Sequence, residues 1–426
     1  MQQANPINRE LSSPSVIINK YLPIAILYFF FNKFLLPHGL LFTTLLSPLF
    51  IIWLFKFRSF RYVLYFFICT IPLGIIHFLY EVEPYFYFIS YALFFGNFIF
   101  AIAFSQFVKI CQTLRSIFRS LLIINIFFVV VACVAYFVPA MRDSFWQVTY
   151  VTQGLDKFPR LKLLTYEPSY YSLLLVPIAV YYILKIFFFD LPNGWLIIFL
   201  FAVPLLLAFS MGVLLGLPLA ILILFVLNIR LFLAKKRLRR YILIGSFILI
   251  VGLLALMLLY PDNPLFTRIE NLLEGQDSSF RGRTFDSYYL AWNVAIQKNV
   301  WFGVGLGQVK VLGLELWRQY YLYNFAPNEI AIPNAIAETF ALYGFVGVFI
   351  RLMIELYFFF RTRVFSNYYR LALFIFILIY QFTGSYLFNI VEYVIWILAF
   401  NNTFPEFDKT NLTPRKIIKR FRPQTA

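Results

Sequence analysis

Residues 195–229, WLIIFLFAVPLLLAFSMGVLLGLPLAILILFVLNI, run for 35 positions without one charged side chain. At a rise of 1.5 Å per residue a single straight helix over this stretch would measure about 52 Å, whereas the hydrocarbon core of a bilayer is about 30 Å thick. The run is punctuated once, at Ser210-Met211-Gly212, and reads as two membrane spans broken there.

Working outward, the whole chain has the same character. Of its 426 residues 62% are hydrophobic and 13% charged, too few charges to cover the surface of a water-soluble core. An aromatic share of 21%, with 55 Phe and 29 Tyr, suits helices that face acyl chains and end among headgroups. The net charge of +17 does not indicate nucleic-acid binding, because the bases fall in short runs between apolar stretches and not along one polar face. Cys69, Cys111 and Cys133 have no C-x-x-C spacing, and His38 and His77 lie far apart, so neither a disulfide framework nor a metal site is indicated and no cofactor is expected.

The remaining apolar stretches predict spans near 22–37, 39–55, 60–80, 84–105, 117–139, 168–189, 241–259, 334–360, 371–387 and 388–404, about twelve with the two in 195–229. Loop charge supports that count. With twelve spans and both termini on the cytoplasmic side, the inner segments hold 24 of the 36 Lys and Arg, six of the 24 being Arg230, Lys235, Lys236, Arg237, Arg239 and Arg240. With one span fewer, half of the chain would carry its basic loops outside. The polar N-terminal 21 residues followed by an apolar stretch without an A-x-A-like site predict an uncleaved signal anchor. The expectation is an all-α, polytopic membrane protein forming a single transmembrane domain over 1–426. It has two longer outer loops, 140–167 and 260–333, the second between spans nine and ten and holding short amphipathic helices.

Those outer loops break the charge rule. They carry ten bases: Arg142, Lys157, Arg160 and Lys162 in the first, and Arg268, Arg281, Arg283, Lys298, Lys310 and Arg318 in the second. The planar fork of arginine matches phosphate oxygens, which makes Arg160, Arg281 and Arg283 candidates to grip a diphosphate; pairing with nearby acids or lipid headgroups is the alternative. Seven residues after Arg160 comes Glu167, in Thr165-Tyr166-Glu167-Pro168-Ser169. Pro168 suits the first turn of a helix, so Glu167 either complements the helix dipole or serves as a general base at the interface. Asn334 and Glu338 share a helix face near the outer end of their span, whereas Arg351 and Glu355, expected near its inner end, read as a structural pair. Glu392 also lies within a span and could face the same cavity. Gly303-Val304-Gly305-Leu306-Gly307 reads as a tight turn, since no strand-turn-helix unit surrounds it.

Four segments taken in order resemble the O-antigen polymerase and O-antigen ligase superfamily of bacterial membrane glycosyltransferases. They are Arg160 to Ser172 (RLKLLTYEPSYYS), Phe209 to Gly216 (FSMGVLLG), Ser279 to Gln308 (SFRGRTFDSYYLAWNVAIQKNVWFGVGLGQ) and Asn334 to Gly347 (NAIAETFALYGFVG). The resemblance covers about the C-terminal two thirds. It implies a GT-C-like fold and a metal-independent, inverting transfer of undecaprenyl-diphosphate-linked glycan at the outer face of the bacterial inner membrane. Position by position it implies that Arg160 and Arg283, with Arg281 as neighbour, face the diphosphate, and that Glu167 or Glu338 is the base. Tyr166, Ser169 and Asn334 are then substrate-binding candidates. Membrane lipids, and a chain-length regulator and a flippase of the same pathway, are the partners implied. Ligases of the superfamily carry a histidine before the motif asparagine, where this chain has Pro333. That favours a polymerase of O-antigen, capsule or exopolysaccharide over a ligase acting on lipid A core or protein. A lipid-linked glycan transporter or flippase ranks third, because such carriers show internal repeats and compact outer loops, and this chain shows neither.

Overall fold

The computed structural model describes residues 20–36, 40–57, 59–111, 113–149, 157–189, 193–229 and 263–412, together with 155, 191, 251 and 258–260. The Arg230–Arg240 loop, His38 and both chain ends lie outside the described residues, as does the span expected at 241–259 apart from 251, 258 and 259.

The principal helices are α1 (Leu22–Phe30), α2 (Ser47–Lys56), α3 (Arg61–Leu79), α4 (Pro84–Ile110), α5 (Leu114–Tyr136), α6 (Pro168–Phe189), α7 (Gly194–Ala208) and α8 (Met211–Leu227). After them come α9 (Pro264–Leu273), α10 (Ser287–Ala295), α11 (Val309–Tyr321), α12 (Ala335–Arg361), α13 (Tyr368–Tyr380) and α14 (Ile390–Phe400). By length and composition five of these, α3, α4, α5, α6 and α12, could cross a membrane, although α12 is two helices joined across a break at Gly344, and α2, α7, α8, α13 and α14 are shorter apolar helices. The chain is an all-α membrane protein; among the described residues it has one small addition, an antiparallel pair of β1 (Trp146–Thr149) and β2 (Phe158–Leu161) that the sequence did not signal.

Lipid-facing surfaces are legible as stripes. On α3, Leu64, Ile68, Ile71 and Ile75 are 51–60% exposed, and on α5, Ile123, Phe127, Val130 and Val134 are 57–64% exposed. Both sets follow the three-and-four spacing of one helix face. Large apolar side chains half exposed in this way would be unfavourable against water by roughly 1–2 kcal/mol each, and are at no cost against acyl chains. The contrast is α6, apolar all round and buried along nearly its whole length by α7, α8, α13 and α14.

The break in 195–229 falls at Phe209, which adopts a left-handed backbone (φ 48°), and Ser210. The chain reverses there. Gly194 at the start of α7 lies against Ile186 near the end of α6, and Phe209 at its close lies against Phe158 of β2. Along α8, Gly212 faces Tyr380 and Gly216 faces Phe376, so α8 descends where α13 rises.

Three expected spans have a different form. The helix from Leu22 stops at Phe30, because Asn32 redirects the chain: its carbonyl and Oδ1 accept from Phe42 and Thr43, and its Nδ2 donates to Tyr170. The stretch 39–55 is a short turn, Phe42–Leu45, followed by α2. Within α12, Gly344 has φ 64° and ψ −162°, and a Cβ there would lie 2.3 Å from the Trp301 backbone. The segment 300–305 docks into this gap, with Val304 and Gly305 donating to Ala341 and Leu342, and Phe345 and Val346 donating to Val300 and Trp301. Gly303 and Gly305 supply the positive φ angles of the docking turn, as expected of a tight turn.

Candidate functional site

One end of the bundle gathers the motifs of the two longer polar segments, 140–167 and 260–333. The hairpin sets the first arginine: Arg160 pairs with Gln147 across the strands, while its neighbour Leu161 turns into the core. Trp146 anchors the hairpin by donating to the Ala132 carbonyl of α5 at 2.7 Å. Arg160 Nε donates to the Ala208 carbonyl at 3.2 Å, one of the last-turn carbonyls of α7 that has no partner within its own helix.

Glu167 immediately precedes α6, whose first residue is Pro168. Ser169 Oγ donates to Glu167 Oε1 at 2.6 Å and accepts from Arg283 Nη2 at 3.5 Å, so Glu167 and Arg283, far apart in sequence, meet at one hydroxyl. Tyr166 packs against Tyr170 in a tilted arrangement with ring centres 4.6 Å apart, and lies beneath Lys33 Nζ. Tyr380 and Tyr386 lie within electrostatic reach of Arg283.

Arg283 reaches this place from a π-helical turn, Gly282–Asp286, inserted between Ser278–Arg281 and α10. Asp277 starts the run, its Oδ1 accepting from Phe280 N at 2.7 Å. Arg281 goes elsewhere: its half-exposed guanidinium pairs through Nε with the buried Asp286 at 3.2 Å, and Tyr320 and Tyr321 donate to the same carboxylate. The two arginines therefore occupy separate environments and do not form one clamp.

Asn334 is fully buried and fully committed. Its Oδ1 caps α12 by accepting from Ala337 N at 2.9 Å, and its Nδ2 donates to the carbonyls of Arg283 and Phe382 at 2.9 and 2.7 Å. It fixes the backbone that presents Arg283, with both hydrogens of its Nδ2 engaged. Glu338 accepts from the Leu387 backbone, and Tyr386 has both Glu338 and Glu167 as electrostatic neighbours. Arg351 pairs with Glu355 at 3.3 Å as expected, and also with Glu392, while bonding Gln381 and Thr339. This network lies beside the last turn of α13 and not at the far end of α12. The Gly344 break folds α12 back so that Arg351 returns to Thr339.

A member of the site that the sequence did not single out is Arg268 of α9. Its Nε pairs with Asp277 at 2.9 Å, with both side chains almost completely buried, and its Nη1 donates to the Phe209 carbonyl at 3.1 Å. Burial, and then the positive charges of Arg283 and Arg268, hold the Arg160 guanidinium down to about 10, still protonated at neutral pH. For Arg283 burial acts in the same direction, but Tyr380, Glu167 and Tyr386 outweigh it and raise its pKa above the usual value. Three arginines face two carboxylates, one of which, Asp277, is engaged by Arg268. The balance is cationic with one carboxylate at its edge, an arrangement that can hold an anion and remove a proton beside it.

Among the described residues no three His, Cys, Asp or Glu side chains gather as a metal site. No family model matches the chain, and no curated protein matches its sequence.

Proposed function

We propose that this protein is a polysaccharide polymerase, a GT-C-type membrane glycosyltransferase that joins undecaprenyl-diphosphate-linked oligosaccharide repeat units at the outer face of a bacterial inner membrane. The observation that carries the reading is the meeting of Glu167 and Arg283 at Ser169, with Arg160 near enough to feel the charge of Arg283. In the reaction the attacking hydroxyl of one repeat unit gives its proton to Glu167 as its oxygen bonds to the anomeric carbon of the donor. The bond from that carbon to the diphosphate breaks on the opposite face, inverting the centre, and undecaprenyl diphosphate leaves. Arg283 and Arg160 oppose the negative charge that grows on the leaving group. Ser169 holds the carboxylate in place. Twelve spans with both termini cytoplasmic and 260–333 outside complete the proposal, and the reversal at Phe209 supports two spans in 195–229. Pro333, where a ligase carries histidine, sets the polymerase above the ligase.

The test is reconstitution: purified protein in vesicles is given lipid-linked repeat units, and products are sized on a gel. Chains of two or more repeats on the lipid carrier support a polymerase. Transfer to lipid A core without elongation would make the protein a ligase, and movement of the lipid without any new glycosidic bond would make it a carrier.

A further inference from the structure

We propose that the buried pair Arg268–Asp277 positions both arginines of the anion site, so that α9, on the outer loop, sets how tightly a diphosphate is held. The inference rests on the anion-site reading above.

The geometry runs in two directions from one ion pair. Toward the membrane, Arg268 Nη1 holds the Phe209 carbonyl at 3.1 Å and its guanidinium lies 5.1 Å from the Phe209 ring centre. Phe209 needs such a hold. It is a non-glycine residue at φ 48°, a conformation that costs about 1–2 kcal/mol and persists where its surroundings enforce it. The preceding carbonyl, Ala208, seats Arg160. Two guanidinium groups thus close the C-terminal end of α7, taking consecutive carbonyls at the negative end of the helix dipole. The break carries no cation of its own, its residues being Phe209, Ser210, Met211 and Gly212. Toward the loop, Asp277 uses Oδ2 for Arg268 and Oδ1 for the Phe280 backbone, which begins the turn that delivers Arg283. One pair therefore fixes the turn under Arg160 and the turn under Arg283, and neither of its members is exposed enough to meet substrate itself. Arg268 and Asp277 are positioning residues.

A buried pair also stabilises the fold, so the test must separate the two roles. Replacing both members by apolar residues of similar size is often neutral for stability, whereas removing one strands a buried charge. Purified full-length protein in nanodiscs is titrated with inorganic diphosphate by calorimetry, and thermal unfolding is followed in parallel. The double variant Arg268→Met/Asp277→Leu is expected to melt close to wild type and to bind diphosphate about tenfold more weakly, the loss expected from one hydrogen bond to a charged group. Arg268→Lys keeps the charge but not the two-directional fork; it is expected to melt like wild type with an intermediate affinity, and decides alone if the double variant does not fold. Arg160→Ala and Arg283→Ala are the controls. If these two lose diphosphate while Arg268→Lys and the double variant bind as wild type does, the positioning role is wrong and the anion site stands. If neither control changes affinity, the anion site itself is wrong, and the inference falls with it.

Discussion

Ser169 stands between Arg283 and Glu167, accepting from the first at 3.5 Å and donating to the second at 2.6 Å. A cation and a carboxylate held by one hydroxyl are close enough to serve a single transition state, yet they do not neutralise each other by direct contact. The arrangement leaves the arginine fork available to a ligand while the carboxylate stays oriented.

Replacing Arg283 by Lys keeps the charge and removes the bidentate fork, and Glu167→Gln keeps the shape and removes the base. Each is expected to lower polymer formation by about 10²-fold or more, the usual worth of a positioned general base for Glu167 and of a fixed donor to developing negative charge for Arg283. Because the two act on one step, the double variant should be little worse than the poorer single one. The measurement is polymer length on gels from cells lacking the native gene, at matched membrane protein levels. Wild-type ladders from both single variants would remove the pair from the site.

Ser169→Ala takes away the hydrogen bond that orients Glu167 without touching either charge. One such bond is worth about 1 kcal/mol, so turnover should fall about five- to tenfold with unchanged protein level. A loss as deep as that of Glu167→Gln would mean that Ser169 itself contacts the reacting groups.

Gly344→Ala places a Cβ against the Trp301 backbone at a positive φ angle. Both the clash and the strain act against the folded state, at a combined cost above about 2 kcal/mol. A lower thermal unfolding midpoint in detergent is expected, whereas Gly282→Ala, where a Cβ meets nothing within 4 Å, should melt like wild type. Equal midpoints for the two would show that segment 300–305 does not dock as described.

Topology has its own test. A single cysteine placed at Ser278 should react with an impermeant maleimide added outside intact cells, and one placed at Lys236 only after the cells are opened. The reverse pattern would overturn the twelve-span arrangement.

Chelation addresses cofactors. Turnover of purified protein with lipid-linked substrate is expected to persist in excess EDTA. Loss of turnover that Mg²⁺ or Mn²⁺ restores would contradict a mechanism carried by arginines and a carboxylate.

Much of the bundle was legible because lipid imposes one simple demand, a long apolar run for each crossing. The expected 60–80, 84–105, 117–139 and 168–189 became α3 to α6 with small shifts at their ends. The reversal in 195–229 was legible too, since no bilayer accommodates its length as one helix. Pro168 marked the start of α6 correctly. The break at Gly344 was not, for the run from Ala335 to Arg361 is apolar throughout most of its length and the wedge that breaks it comes from segment 300–305, distant in sequence. At the site, Arg160, Glu167 and Arg283 stood out by type and spacing. Arg281 stood out equally, but positions two apart point to different sides of a helical turn, and Asp286 claims it. Arg268, Tyr380 and Tyr386 did not stand out, because what brings them to Arg160 and Arg283 is the packing of α9, of α13 and of the segment that follows α13.

The enclosure of α6 bears on how the protein comes into being. Its side chains are covered by α7 and α8, which follow it at once, and by α13 and α14, which leave the ribosome some 180 residues after its last turn. Until those two arrive, the helix that begins just after Glu167 has an open flank and no Tyr380 beside Arg283. The proposed catalytic end is thus completed only after α13 and α14 have arrived. A chain that stops short of α13 is expected to insert its earlier helices and remain inert, so that an incomplete copy in the membrane consumes none of the lipid carrier.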